Sequence, residues 1–506
     1  MKTKNKGVFF DRDGTLNPDP GYINDPARFA FFPGVVGVLR RLSAAGFKLF
    51  VVSNQSGVSR GKITRKQLGG IDRKMRRLLA SKGVLLDGAA YCLHHPDEKC
   101  SCRKPGTKLV ADLAERHAVD LSRSWFVGDK AADIECGRNA GCKTILVRAG
   151  RKAARSGVFA DFVEENVLAS AERILEQERT GYRSDSDVVE GFQGKKVLVV
   201  GDVMLDEYFL GTVTRMSPEA LVPVVDVEEH LRALGGAANV AANVVSLGGV
   251  ALLSSVVGAD QAAAAFRRCL SSVGIDDSLI LSEKARCTTV KSRVITGKRH
   301  LVRFDREDRR PALPETEDAI ISAIARKGPG CDAIVVSDYA KGVVTGKVVR
   351  FVSDFALKTG IPLFVDSKNF LGLGFRRATV LKPNLKELEK ETGIKASSFE
   401  GIRRGAMVFL EKLGPKAVMV TCGKKGIFVF TKTSSCLVPA VPTPAAVDVS
   451  GAGDTTLAAM VLSLAGGASF EQAARISNAA ASVAISKVGT AAVQADELKA
   501  VLEKQG

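Results

Sequence analysis

Tryptophan occurs once, tyrosine five times and histidine five times in 506 residues, and aromatic residues make up only 6% of the chain. The scarcity matters because basic residues are plentiful: 73 Lys and Arg against 55 Asp and Glu, a formal net charge of +18. A face that binds nucleic acid combines such charge with stacking rings. The basic pairs Arg73-Lys74, Arg76-Arg77, Lys195-Lys196, Arg309-Arg310 and Lys424-Lys425 are scattered and not interleaved with aromatics. The excess charge reads as solvated surface with a few anion-binding pockets. Neither a nucleic acid nor a membrane surface is expected as a partner, and a basic binding protein of either kind is the remote alternative.

Long apolar runs are also lacking. The longest uncharged stretch, residues 233–259, could span a bilayer by length. It carries Gly235, Gly236, Asn239, Asn243, Gly248, Gly249 and three serines, which suits a buried helix followed by a strand. No apolar segment of signal-peptide length follows the basic residues 1–7, so a cytoplasmic setting is expected. Ten cysteines in such a chain point to reduced thiols or metal ligands, not a disulfide framework. No short repeat or low-complexity tract is present. What remains is an ordinary globular composition, 45% hydrophobic and 25% charged, in a chain too long for one core.

Two segments open alike. Residues 6–11 and 195–202 are short apolar runs that follow basic residues and end in acid, the pattern of a buried parallel strand whose carboxyl end faces a site. Apolar runs near 47–53, 125–129 and 144–147, alternating with helical patterns, predict βαβ units. A helix is expected near 163–178, then a polar, turn-rich boundary. Alternation resumes with strands near 333–337, 362–366, 379–381 and 417–421. The polar-apolar alternation of 289–304 suggests a small projecting sheet. The fold class is α/β in two domains: 1–178, a linker at 179–193, and 194–506.

Asp11-Arg12-Asp13-Gly14-Thr15 follows the first strand directly. Residues i and i+2 of an extended segment point the same way, so two carboxylates converge. One can attack phosphorus; the other can protonate a leaving oxygen and then deprotonate water. Asp129 and Asp133, after another strand, add carboxylate for Mg²⁺. Ser53 and Asn54 offer a hydroxyl and an amide to phosphoryl oxygens, and Lys104 a positive charge. Cys92, His94, Cys100 and Cys102 form a C-x-H-x5-C-x-C cluster, enough for a closed tetrahedral structural zinc site. His95 is the weaker ligand; Cys136 and Cys142 read as core thiols.

This series resembles the haloacid-dehalogenase-like phosphatases, a Rossmann-like parallel sheet carrying a zinc loop. Within that group the zinc loop and Arg103-Lys104-Pro105 look like heptose-1,7-bisphosphate phosphatases and histidinol phosphatases. Residues 19–22, 53–61 and Lys130 favour the former, while the five-residue spacer of the zinc loop is shared with the latter. The resemblance implies Asp11 as nucleophile and Asp13 as acid/base. Mg²⁺ would be held by Asp11, Asp129 and the main-chain carbonyl of Asp13. Substrate would be lined by Asp19, Tyr22, Ser53, Asn54, Gln55, Ser56, Arg103, Lys104 and Lys130.

A second constellation stands near the C-terminus. Ser450-Gly451-Ala452-Gly453-Asp454 precedes an alanine-rich helical pattern. Backbone N–H groups at a helix start, with the helix dipole, stabilise phosphate, and an acid beside them can take the proton of an acceptor hydroxyl. With Gly201-Asp202, Asp206, Gly235-Gly236, Asn239, Asn384-Leu385-Lys386-Glu387 and residues 421–426, it resembles the ribokinase-type kinases. Ser217-Pro218-Glu219-Ala220, Ser337-Asp338-Tyr339-Ala340-Lys341 and Ser477-Asn478 look like D-glycero-β-D-manno-heptose-7-phosphate kinases. An α/β sandwich with a small β lid is thereby implied, with Asp454 as base and Gly451, Ala452 and Gly453 as anion hole. Asn384, Glu387, Thr421, Gly423, Gly426 and Asn478 would serve ATP and its Mg²⁺. Asp202, Asp206, Gly236 and Asn239 would hold the sugar, and Lys291, Arg293 or Arg303 in the lid would meet the 7-phosphate. Asp366-Ser367-Lys368 departs from the usual Asp-Pro-Lys and implies a changed turn. The His-x-Gly-His motif of a nucleotidyltransferase, often fused to such kinases, is absent: the histidines are 94, 95, 117, 230 and 300.

Together the halves imply phosphorylation of heptose 7-phosphate at O1, then removal of the 7-phosphate, two consecutive steps toward ADP-heptose and lipopolysaccharide core. Sugar phosphates and ATP are the expected partners, with a homodimer through the lid possible. A histidinol-type phosphatase joined to a different sugar kinase is the alternative.

Overall fold

The computed structural model describes residues 5–147, 160–179, 184–297, 299–432, 434–442, 449–487 and 492–504. Two compact units divide the chain: Met1–Tyr182 with Thr433–Cys436, and Arg183–Lys432 with Leu437–Gly506. Residues 180–183 of the expected linker, and Val447 and Asp448 ahead of the glycine motif, lie outside the described residues.

The first unit is built on six strands: β1 (Lys6–Phe10), β2 (Phe47–Asn54), β3 (Gly88–Cys92), β4 (Trp125–Gly128), β5 (Lys143–Val147) and β6 (Phe162–Glu164). Every pairing is parallel, in the order β3-β2-β1-β4-β5-β6. The strands are apolar throughout because both faces are covered. Val8 and Phe10 enter one core with Leu49, Val51 and Val127; Phe9 enters the other, stacked on Phe50 at 4.8 Å. From β1 the chain winds to β2 and β3 on one side, then crosses to β4. That reversal leaves a crevice at the carboxyl ends of β1 and β4, where ligands bind in sheets of this kind.

The helix expected from residue 163 begins later. Phe162–Glu164 is instead the edge strand β6, and the helix runs Val167–Arg179. Phe162 is buried against Trp125, with ring centroids 5.6 Å apart, and that packing takes the segment into the sheet. Within the expected linker, Asp185–Glu190 is helical. Ser184 and Asp187 cap it reciprocally, and Val188 and Val189 are buried.

The nine-stranded sheet, of the second unit apart from Ser435 and Cys436 in its last strand, comprises β7 (Lys196–Gly201), β10 (Val250–Gly258), β11 (Ile280–Glu283), β14 (Ala333–Asp338), β15 (Leu363–Ser367), β16 (Val380–Leu381), β17 (Ala417–Thr421), β18 (Ile427–Phe430) and β19 (Ser435–Val438). Its order is β11-β10-β7-β14-β15-β16-β17-β18-β19, parallel from β11 to β17, with β18 antiparallel to β17. A four-stranded lid is formed by β8 (Val203–Met216), β9 (Pro223–Gly236), β12 (Val290–Thr296) and β13 (Arg299–Arg306), in the order β13-β12-β8-β9. The uncharged stretch is helix Ala237–Ser246 followed by β10, as expected. Among the described residues no helix is long and apolar enough to cross a membrane.

Candidate active sites

At the crevice of the first unit, Asp11 follows β1 and is buried. The Lys104 ammonium lies 2.6 Å from Asp11 Oδ1 and 2.6 Å from Asp133 Oδ1, and donates to the Val52 carbonyl at 2.8 Å. Asn54 at the end of β2 grips the main chain of Lys104, accepting from its N–H at 3.0 Å and donating to its carbonyl at 3.2 Å. Asn54 thus aims the lysine from behind. Burial pushes the Asp11 carboxyl up, with Lys104 opposing. Burial also works to lower the Lys104 ammonium, but Asp11 and Asp133 outweigh it and hold it above its ordinary value.

Gly14 takes φ +95°, and a Cβ there would stand 2.4 Å from Asp129 Oδ2, so the turn after the two acids has room only for glycine. Asp13 is gripped by Arg12 at 3.0 and 2.7 Å, by Asn17 at 2.9 Å and by Gln55 at 2.7 Å. Burial would raise this carboxyl, yet the Arg12 guanidinium and the amides hold it below its usual value. Gln55 also donates to Ser53 Oγ at 3.1 Å, and Lys130 pairs with Asp19 at 2.9 Å. Arg103 Nη1 is buried with no hydrogen-bond partner, a donor free for an anion. Tyr22 packs over Gly57, where a Cβ would meet its ring at 2.6 Å.

Asp11, Asp129 and Asp133 each bring an oxygen within 4.8 Å of the others. Burial drives the Asp129 carboxyl up to about 7, with Lys130 opposing and the two neighbouring acids adding. Three converging hard oxygen donors in excess of their cations fit Mg²⁺. Asp133 stands in this group, as its carboxylate at the spacing Asp129-x3-Asp133 suggested, although the set implied by the family resemblance named only Asp11, Asp129 and the Asp13 carbonyl. Arg12 was missed.

The sulfurs and imidazole of the zinc loop converge. Cys92 Sγ is 3.6 Å from Cys100 Sγ and 3.5 Å from Cys102 Sγ; Cys100 and Cys102 are 3.4 Å apart. His94 Nδ1 is 3.2 Å from Cys102 Sγ and 3.7 Å from Cys92 Sγ. These are edges of the size a tetrahedron of Zn–S and Zn–N bonds requires. His95 instead caps the turn Pro96–Glu98 and faces Asp97. No thiol among the described residues is in a disulfide.

In the second unit Asp454 occupies the first turn of helix Ala452–Ala465, which Gly451 starts at φ +75°. Both carboxylate oxygens receive donors: Tyr339 Oη on Oδ1 at 2.7 Å and Asn239 Nδ2 on Oδ2 at 2.9 Å. Asn243 donates to Asn239 Oδ1 at 3.1 Å and accepts from Thr455 Oγ1 at 3.0 Å, fixing which way the Asn239 amide faces. Burial pushes the Asp454 carboxyl up to about 6 against these donors.

Asp202, expected on the sugar, accepts from the N–H groups of Tyr339 (2.8 Å), Lys341 (2.9 Å) and Val343 (3.0 Å), so it pins the loop that presents Tyr339. Gly236, at φ +61°, packs on the Asp202 carbonyl, which a Cβ would meet at 2.4 Å. Asp206 pairs with Arg293 at 2.6 Å. Asn384 and Glu387 cap helix Leu385–Thr392 reciprocally, Glu387 pairs with Lys368, and Asn384 bridges Thr421. Gly423 and Gly426 shape the turn after β17, and Asn478 donates to the carbonyls of Val438 and Pro439, both at 2.9 Å. Ser367, in the altered turn, donates to Asp338 at 2.5 Å and accepts from the Asn369 N–H at 2.9 Å, so its hydroxyl closes the turn. Lys382, paired with Asp366 at 2.6 Å, and Tyr339 were not among the expected site residues.

Residues 195–497 match the family described as pfkB family carbohydrate kinase, and residues 101–173 match the HAD-hydrolase-like family. A protein of Caulobacter vibrioides named Bifunctional protein HldE is 42% identical over 315 residues, 61% of this chain and 64% of that protein. The chain thus spans about 64% of the length of the curated relatives it matches. Phosphofructokinase-2 from Escherichia coli, solved with substrates and products, shares the fold at 23% identity and TM-score 0.52, covering 61% of this chain and 99% of that one. A D,D-heptose 1,7-bisphosphate phosphatase from B. bronchiseptica, solved with magnesium and phosphate, is 35% identical over 34% of this chain and 99% of its own, with TM-score 0.32. The match over residues 195–497 covers more than half of the chain, which therefore belongs to the pfkB family of carbohydrate kinases, with a haloacid-dehalogenase-like phosphatase segment preceding the kinase.

Proposed function

We propose that the chain is a bifunctional enzyme on the route to ADP-heptose. The second unit phosphorylates D-glycero-β-D-manno-heptose 7-phosphate at O1 with MgATP, and the first hydrolyses the 7-phosphate of the resulting 1,7-bisphosphate. The observation that carries the reading is the doubling of phosphoryl-transfer machinery: a buried base beside a helix N-terminus in one unit, and a buried carboxylate clamped by lysine in the other.

In the kinase, Asp454 takes the proton of the acceptor hydroxyl as its oxygen bonds to the γ-phosphorus and the ADP oxygen leaves. Asn239 and Tyr339 hold the base in place, while the N–H groups of Gly451, Ala452 and Gly453 face the transferring phosphoryl. Asn384, Glu387, Thr421, Gly423 and Gly426 serve the nucleotide. In the phosphatase, Asp11 Oδ attacks phosphorus, the protonated form of Asp13 gives its proton to the departing sugar oxygen, and the carboxylate so formed, the form that Arg12, Asn17 and Gln55 favour, then deprotonates the water that cleaves the aspartyl phosphate. Lys104 neutralises the charge gathered on Asp11. Asp11, Asp129, Asp133 and the Asp13 carbonyl would hold Mg²⁺, which supplies charge neutralisation of the phosphoryl oxygens when bound. Zinc at Cys92, His94, Cys100 and Cys102 would be structural.

The functional division is 1–178 and 194–506. The setting is cytoplasmic, with small molecules and not nucleic acid or membrane as partners, and a homodimer through the lid is in keeping with exposed Val302 and Phe304. The five-residue spacer of the zinc loop favours a second reading, a histidinol-phosphate-type phosphatase beside a different sugar kinase. Phosphorus NMR with heptose 7-phosphate and MgATP decides: the 7-phosphate signal should give way to the bisphosphate and then to a 1-phosphate. Release of phosphate from histidinol phosphate in preference to the bisphosphate overturns the first reading.

A further inference from the structure

Two lysines near the kinase base are each paired with an acid. Lys368 pairs with Glu387, and Lys382 with Asp366 at 2.6 Å, while the hydrogen bonds on Asp454 come from Tyr339 and Asn239, both neutral. The two lysines differ in depth. The side chain of Lys368 is 39% exposed and that of Lys382 only 4%. Among the described residues the Lys382 ammonium meets one carboxylate oxygen, Asp366 Oδ2, although an ammonium has three hydrogens to donate. A buried cation with spare donors is held at a cost unless an acceptor reaches it.

Its place in the sheet identifies that acceptor. β14, β15 and β16 lie side by side, with Asp338 opposite Ser367 and Val365 opposite Leu381. Lys382 comes directly after Leu381, and its N–H donates to the Val365 carbonyl at 2.9 Å, so it stands beside Asp366 at the carboxyl edge. Just past β14, Tyr339 reaches Asp454. Two residues after Lys382, Asn384 opens the helix Leu385–Thr392 and bridges Thr421 at the end of β17, the side read as the nucleotide's. In sheet order Lys382 thus stands between the tyrosine that reaches the base and the strand end that serves ATP. Its charge is felt at the base: burial raises the Asp454 carboxyl, Asp366 adds to the rise and Lys382 opposes it.

We propose that Lys382 is a catalytic cation of the kinase: held in place by Asp366, it donates a hydrogen bond to an oxygen of the γ-phosphoryl group during transfer. The inference rests on the reading of the second unit as an ATP-dependent kinase and adds a charge that the glycine motif does not supply. As the acceptor oxygen bonds to phosphorus, Asp454 takes its proton, and the electron pair of the breaking P–O bond leaves on the β-phosphate of ADP. Lys382 stays protonated throughout and gives hydrogen bonds, not its proton. Charge-assisted contacts to phosphoryl oxygens are the strong ones. An ammonium already fixed by Asp366 needs no reorganisation when charge shifts across the phosphoryl group.

The test uses the full chain as wild type, Lys382→Met, Lys382→Arg and the double variant Asp366→Asn/Lys382→Met. Turnover is read as ADP release with MgATP and heptose 7-phosphate. Equilibrium binding is read with MgADP and with the magnesium complex of a non-hydrolysable ATP analogue. In Lys382→Met, kcat should fall about 10²–10³-fold with little change in KM for the acceptor, the loss expected for one donor to the transition state. Its preference for the analogue over ADP should fall on the order of tenfold, and Lys382→Arg should recover part of both losses. The double variant removes the stranded acid, so its denaturation midpoint should return toward wild type while turnover stays low. Equal weakening of ADP and the analogue, or turnover that returns with stability in the double variant, would show an ion pair that only holds the sheet edge and would overturn the inference. A wild type inactive on heptose 7-phosphate overturns the proposed acceptor instead, and the binding comparison still decides on Lys382.

Discussion

The Tyr339 hydroxyl donates to Oδ1 of Asp454 at 2.7 Å, and with Asn239 on the other oxygen it leaves a fully buried carboxylate stabilised from both sides. Burial raises this acid to about 6; the two donors pull the other way. A base works only when ionised, so kinase turnover should fall as pH drops through about 6. Tyr339→Phe removes a donor to the charged form, and the carboxyl must rise further. The acidic limb of the kcat profile should then move to higher pH, and turnover at pH 7 should drop on the order of tenfold. A profile that keeps its limb while losing amplitude would show that Tyr339 only packs.

The two chemistries reside on different acids and should be separable. Asp454→Asn keeps the shape of the kinase site but removes the proton acceptor, and should cost about 10²–10⁴ in phosphorylation rate. Hydrolysis of the bisphosphate should be untouched. Asp11→Asn should do the reverse, abolishing hydrolysis while ADP release continues. Single-variant assays of both half-reactions check this, and retained hydrolysis in Asp11→Asn rules out the covalent route.

The Cys92–Cys102 cluster leads straight into Arg103 and Lys104, so a zinc ion held there would act on catalysis through placement. Elemental analysis should find one zinc per chain. Cys102→Ser leaves three ligands, and its zinc should exchange readily with a chromogenic chelator. As the metal leaves, phosphatase activity should decline while kinase activity persists. Full phosphatase activity in zinc-free protein would refute the dependence.

Legibility in the sequence followed burial. Strands β1, β4, β7 and β14 are apolar runs legible in the sequence, and the acids at or just beyond their ends mark the carboxyl edges of the two sheets. The lid was only half visible. The start of β12 alternates, whereas β13 and residues 211–232 across β8, β9 and their turn are mostly exposed on both faces and carry no burial rhythm. Partnerships were the least readable. Asp202 and Asn239 stood out as polar residues near a site, but only the fold shows that one pins a loop and the other holds the base. Tyr339 lies 115 residues from Asp454, a distance no local pattern can bridge.

Lys104 offers the sharpest test of how the phosphatase site is held together. Its ammonium is buried between Asp11 and Asp133, and both contacts are 2.6 Å. Replacing it by Met preserves the stem and leaves two buried carboxylates facing one another. Removing one partner of a buried ionic group costs about 3–5 kcal/mol, because the remaining charge is stranded. Lys104→Met should therefore unfold at lower denaturant concentration and lose hydrolysis. Adding Asp133→Asn removes one stranded charge. The double variant should regain much of the stability without regaining turnover, since the charge that neutralises Asp11 is still missing. Denaturation midpoints for the two single variants and the double variant give the coupling directly. Additive losses would mean that Lys104 and Asp133 act independently, and that the lysine serves Asp11 alone.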